Sequence, residues 1–244
     1  AENVAIGYLA LTNNTTGTHN VAVGSSDGSS GATLGTNSTG SQNTALGMQA
    51  LGSNTTADNN TGVGYQSLKA NTTGTRNTAI GSFALDANTT ADNNTAVGTH
   101  SMTDNTTGAE NSAFGQSSLT NNTTASGNTA IGHQVLFTNT TGANNTAIGK
   151  NALVVNTTGA SNVAVGALVL DANITGASNV AIGISALTND TKGNKSIAIG
   201  DNALSSQNFT SSTDSLNVAV GHRAGVAVTT GIQNTFVGGL AGDA

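Results

Sequence analysis

The residues of this chain whose types could do chemistry are few and scattered. Its four histidines, His19, His100, His133 and His222, have no recurring partner near them in sequence. They read as solvated surface histidines. The alternative, a metal site made from three copies of His133 or His222, requires a threefold assembly. The acids Asp58, Asp92, Asp104 and Glu110 stand well apart and do not form the close carboxyl pair that glycosidic hydrolysis requires. Dense Gly-Gly-x-Gly-x-Asp nonapeptides, the signature of calcium-binding rolls, are absent. No catalytic set, cofactor site or metal site is expected.

Asn-x-Thr triplets such as Asn71-Thr72-Thr73 match the N-glycosylation sequon, but turn chemistry alone would generate them. The paired threonines raise a sharper possibility. Thr72, Thr89, Thr106, Thr123, Thr140 and Thr157 recur at constant spacing. Hydroxyls and methyls ranked on a flat face would suit ice binding. Beside Asn and Gly, however, the same hydroxyls can bond to turn backbone.

Composition restricts the architecture that must position these groups. Of 244 residues, aromatics make up 3% and charged residues 7%, with 32 Gly and no Pro, Cys or Trp. So little aromatic mass cannot fill a wide globular interior. A chain without Pro suits backbone N–H groups committed to ladders. The net charge of −6 is spread thinly, and no basic stripe marks a nucleic-acid surface. No signal peptide and no long apolar run is present, so membrane contact by this segment is not expected.

The dominant feature is a repeat. A glycine closes an Asn-x-Ala-Ile-Gly-like phrase at positions 7, 24, 47, 64, 81, 98, 115, 132, 149, 166, 183, 200, 221 and 238. The unit is 17 residues, with six extra residues after Gly24 and four after Gly200. The residue before each glycine is large and apolar, as in Ile80 and Val97, and the one before that is Ala or Gly except at Phe236. Alternation of period two marks a strand. Size assigns Ile/Val to the core, so that the Ala slot faces outward. Leu68, Leu85 and their equivalents form a second strand-like step. Asn and Gly supply the corners, and the Asn that opens each phrase is placed to form an amide ladder. The residue after Asn-Thr-Thr alternates between Ala and Gly through Ala57, Gly74, Ala91, Gly108, Ala125 and Gly142.

These features predict an all-β fold: a parallel β-solenoid of fourteen 17-residue coils forming a single repeat domain over residues 1–244. The phrases "NVAIGYLAL", "NTAIGSFAL" and "NVAIGISAL" resemble the head repeats of YadA-type trimeric autotransporter adhesins, and equally the "NTAVGYQAL…NTTG" repeats of phage tail fibres. The resemblance spans Asn3 to Gly242. It implies a left-handed β-roll in which three chains pack about a threefold axis. Ala79, Ala96, Ala130, Ala147 and Ala164 would then form the trimer interface.

The expected function is a non-enzymatic structural and adhesive fibre module, extracellular, on a bacterial surface or a virion. Its expected partners are itself, as a homotrimer, and a host-surface glycan or protein. The alternative is an ice-binding solenoid using the Thr ranks. Recognition is expected where the period breaks, within 25–42 and 201–216. The candidate residues there are Asp27, Ser29, Ser30, Thr33, Asn208, Phe209, Thr210 and Asp214. Tyr8, Tyr65, Phe83 and Phe137 are further candidates, either as exposed anchors or as corner packing.

Overall fold

A computed structural model describes residues 2–26, 28 and 31–243. Among these there is no helix, and each repeat contributes one short strand to a parallel β-solenoid of about fourteen turns. The chain divides into two compact units, Ala1–Thr124 and Ala125–Ala244.

The first unit stacks β1 (Val4–Ile6), β2 (Val21–Val23), β3 (Thr44–Leu46), β4 (Thr61–Val63), β5 (Thr78–Ile80), β6 (Thr95–Val97) and β7 (Ser112–Phe114). Each strand pairs in parallel with the next, like residue on like, as in Ala79↔Ala96. The second unit repeats the scheme with β8 (Thr129–Ile131), β9 (Thr146–Ile148), β10 (Val163–Val165), β11 (Val180–Ile182), β13 (Ile197–Ile199), β15 (Val218–Val220) and β16 (Thr235–Val237). A separate two-stranded sheet pairs β12 (Gly193–Asn194) with β14 (Thr213–Asp214).

The Leu step is not a second strand. It is a run of turns in which Phe83 (φ 58°) and Leu85 (φ 54°) are left-handed, as are Gln66 and Leu68 one coil earlier. A strand is too straight to close a coil of 17 residues, and left-handed residues curl the chain back. For an L-residue that conformation costs about 1–2 kcal/mol. Full burial of the Leu side chain, about 1.5–3 kcal/mol, offsets the cost. Gly would fit the backbone better but would leave the core empty. The backbone remains paired between coils, Leu68 N donating to Ala84 O and Leu85 N to Ser101 O, both at 3.0 Å.

Two buried Asn ladders complete the core. In the Asn-Thr-Thr corner, Asn71, Asn88 and Asn105 donate Nδ2 to Oδ1 of the Asn one coil earlier, at 3.0, 2.9 and 3.2 Å. Each also donates to the carbonyl three residues on, as Asn71 does to Gly74 O at 2.9 Å. The Asn opening each phrase works differently, through backbone. Asn77 Nδ2 donates to Ala91 O at 2.8 Å, and Asn77 Oδ1 accepts from Asn94 N at 2.9 Å. The side-chain amide ladder therefore runs mainly through the Asn-Thr-Thr position, with the phrase-opening Asn stitching coil to coil.

An Asp follows Ala57 and Ala91, and it reaches back to the preceding Gly-bearing coil. Asp58 Oδ1 accepts from Ser41 N at 2.7 Å, and Asp92 Oδ1 from Thr75 N at 2.6 Å.

Candidate functional site: the outer face of the strand ladder

The strands face the opposite way from the expectation based on side-chain size. Ala79, Ala96, Ala130, Ala147 and Ala164 are fully buried inside their own coils, whereas Ile80 is 41% exposed and Ile131 39%. A chain-chain interface cannot use the Ala slots, and that assignment is corrected. The interior is too narrow for Ile. A methyl built on Gly62, in the same slot, would meet Ser67 Oγ at 3.1 Å and Leu51 Cγ at 3.4 Å. Leu from the opposite wall and the Asn amides already fill the space, leaving room for one methyl. The exception follows the same rule. Phe236 enters the slot where the Leu positions of its own and the preceding coil are Gly242 and Gly225. A Cβ on Gly225 would lie 2.9 Å from the Phe236 ring.

The outer face of each unit therefore carries two columns in register. In the first unit one column runs Val4, Val21, Thr44, Thr61, Thr78, Thr95, Ser112, and the other Ile6, Val23, Leu46, Val63, Ile80, Val97, Phe114. In the second, the columns run from Thr129 to Thr235 and from Ile131 to Val237. Neither column contains a charged residue in either unit. Parallel sheets are ordinarily covered on both faces, and this one is covered on its inner face only.

The Thr ranks do not form a free hydroxyl face. Thr72 Oγ1 donates to Thr89 O at 3.0 Å, Thr89 to Thr106 O at 3.2 Å, and Thr106 to Thr123 O at 3.0 Å. Thr140 and Thr157 do the same toward Thr157 O and Ile174 O, each at 3.0 Å. These hydroxyls tie successive coils together.

Of the residues expected at the period breaks, Asp27, Ser29 and Ser30 lie outside the described residues. Thr33 is fully buried with Oγ1 donating to Gly47 O at 2.8 Å, in regular coil, and is no recognition residue. Leu34 takes the usual Leu place, so the first insertion is confined to the stretch before Thr33. Its described ends, Ser26, Gly28 and Gly31, border a cavity of about 380 Å³ with Leu9, Thr12 and Thr36. In the second insertion Asn208, Thr210 and Asp214 are exposed, with Asp214 ion-paired to Lys195 at 2.6 Å. Phe209 is buried, and this corrects its assignment as a recognition residue.

Among the described residues, no three of His, Cys, Asp and Glu come together in a metal-holding group. His19 meets Glu2 at 2.8 Å and His222 meets Asp201 at 3.4 Å, all exposed or half-exposed. Two features lie beyond the sequence reading. His100 stacks on Phe83 with centroids 5.1 Å apart, and Phe83 meets Tyr65 edge-on at 5.2 Å. The positions 65, 83 and 100, about one repeat apart, carry this signal. The second is Asp86, whose Oδ1 is buried without a partner. Burial raises its carboxyl to about 6, with Asp104 adding and its own backbone hydrogen bond, His100 and Lys69 opposing. Nothing in the sequence around Asp86 marks it.

The fold is that of a parallel β-solenoid repeat protein. Comparison with known protein families, curated proteins and solved structures finds no match.

Proposed function

We propose that this chain is a non-enzymatic structural and adhesive fibre module that works outside the cell, on a bacterial surface or a virion. In this proposal the solenoid is a left-handed roll and three copies lie side by side about a threefold axis. The outer strand columns, Thr78/Ile80 and their equivalents, form the contact. The observation that supports this is the uncharged outer face of a parallel sheet, one column apolar and the other made of Thr, Ser, Val and Ile. Exposed apolar patches of more than a few hundred Å² are rare on monomers, and seven rungs about 4.8 Å apart extend the columns for roughly 30 Å in each unit. A second and third copy are the occupants that best fit, because the same two columns recur rung after rung and a like ladder matches them throughout. The assembled module would space or present receptor-binding surfaces rather than turn over a substrate.

Light scattering of the purified chain tests this. The expected mass is three times that of one chain. Ile80→Lys combined with Ile148→Lys should give a folded monomer with an unchanged circular dichroism spectrum. A wild-type chain that stays monomeric at high micromolar concentration would sink the proposal and leave the solenoid intact.

A further inference from the structure

The Asn ladder gives way in the second unit at position 190, and Gln207 and Val228 occupy the next two rungs. Asn156 and Asn173 each donate Nδ2 to the preceding Asn Oδ1 at 2.8 Å. At the next rung stands Asp190, fully buried, which has no amide N–H to give. Asn173 Oδ1 is accordingly buried without a partner. Leaving such an acceptor unmet costs stability, and an Asn at 190 would remove that cost. A departure from the rule kept on the rungs before it, at a cost in stability, points to a gain elsewhere.

The gain lies in what the carboxylate collects. Asp190 Oδ1 accepts from Gly193 N at 2.9 Å and from Phe209 N at 3.3 Å, and Oδ2 accepts from Gln207 Nε2 at 2.6 Å. Thr191, next in the chain, donates Oγ1 to Phe209 O at 2.9 Å. Gln207 joins the two Asn ladders, Nε2 donating to Ser196 Oγ at 2.9 Å and Oε1 accepting from Asn217 Nδ2 at 2.8 Å. Ser196 Oγ in turn meets Ser215 Oγ. All these donors converge where four extra residues enter the coil. Beyond Phe209 the chain returns to the stack as β14, paired with β12. Between the two anchors, Thr210, Ser211 and Ser212 are exposed.

We infer that Asp190 is the positioning residue for this insertion: an acceptor-only side chain that gives up ladder continuity to turn the Phe209 and Gly193 N–H groups inward. Thr210–Ser212 is thereby held as a fixed exposed arch rather than a loose loop. Asn in its place offers one acceptor oxygen and two donors. It would rejoin Asn173 but could not serve all three donors. The inference stands on the hydrogen-bond pattern alone and does not depend on the oligomeric state.

Residue-resolved hydrogen exchange on the whole chain, wild type against Asp190→Asn, tests it. The variant restores the residue found on the preceding rungs, Asn156 and Asn173, and should fold. The Phe209 and Gly193 amides should exchange at least tenfold faster, while those of Leu153 and Leu170 keep their protection. A residue with a purely structural role would change protection across the unit together. Unchanged exchange at Phe209 and Gly193 in both Asp190→Asn and Asp190→Ala, or a uniform change across the unit, would overturn the assignment.

Discussion

Asn88 donates Nδ2 to Oδ1 of Asn71, one coil earlier, at 2.9 Å, and both side chains are fully buried. The same nitrogen donates to Ala91 O at 3.1 Å, and Asn88 Oδ1 accepts from Asn105 Nδ2 at 3.2 Å. One amide therefore satisfies groups on three successive coils in a place water cannot reach. A chain with so few large apolar side chains draws its cohesion from such ladders as much as from its Leu column.

Replacing Asn88 with Leu should test that claim directly. It leaves Asn71 Oδ1 without a partner, while Ala91 O keeps Asn77 Nδ2 and Asn105 Nδ2 keeps Gly108 O. With about 1–3 kcal/mol for the one buried acceptor left unmet, the loss should be of that order. The shift in urea midpoint would measure it. A loss below about 0.5 kcal/mol would mean that the ladder contributes little.

Strand orientation makes an opposite pair of predictions at adjacent residues. Ala79→Leu forces four heavy atoms in place of one into a filled slot and should destabilise by about 1–3 kcal/mol. Ile80→Thr changes an outward side chain and should alter the melting temperature of the dissociated chain hardly at all. Melting curves with the two effects reversed would restore the expectation from size, with Ile inside.

Gly81 has φ 135°, and a Cβ there would lie 2.6 Å from the carbonyl carbon and oxygen of Gly98. Gly81→Ala therefore combines a disfavoured backbone with a clash against backbone that cannot move aside. Loss of cooperative unfolding, or destabilisation beyond about 2 kcal/mol, is the expected result. Calorimetry would measure it, and a wild-type transition would contradict the conformation described.

Asp86 gives the first unit a pH dependence of predictable sign. Its carboxyl is raised from near 3.8 to about 6 in the fold, chiefly by burial. The fold therefore favours the protonated form. Below about pH 3.8 folded and unfolded chains are both protonated and no penalty arises. Between 3.8 and 6 the unfolded chain loses its proton first, so stability falls, and above 6 the penalty is constant. For a half-exposed carboxyl, partly screened by water, the effect is on the order of 1–2 kcal/mol. Asp86→Asn should abolish the decline and exceed wild type in melting temperature at pH 7.5. Parallel wild-type and variant curves from pH 4 to 7.5 would refute this.

Much of the architecture was legible in the residues alone. The 17-residue spacing from Gly47 to Gly200 sets one rung per repeat, and the three-residue alternation marks the strand. Asn, Gly and Thr between strands announce corners, and Leu85 and its equivalents occupy the core as read. The Thr hydroxyls, set beside Asn and Gly, suit bonds to backbone, and they make them. These features depend on local chemistry repeated many times, so each copy confirms the last.

What the sequence left open is what depends on the far wall of the coil. Period-two alternation is the same whichever face turns inward, and size favoured Ile80 over Ala79. Only the closed coil shows that Leu51, Ser67 and the Asn amides leave the strand room for a methyl, so that Ile80 turns outward. The recurring Leu reads locally as a strand-like step, whereas in the coil it is left-handed, and only burial against the other coils outweighs that cost. The role of Asp190 was hidden for the same reason. Its partners Gln207 and Phe209 are distant in sequence and meet it only once the inserted residues are folded back against the preceding coil.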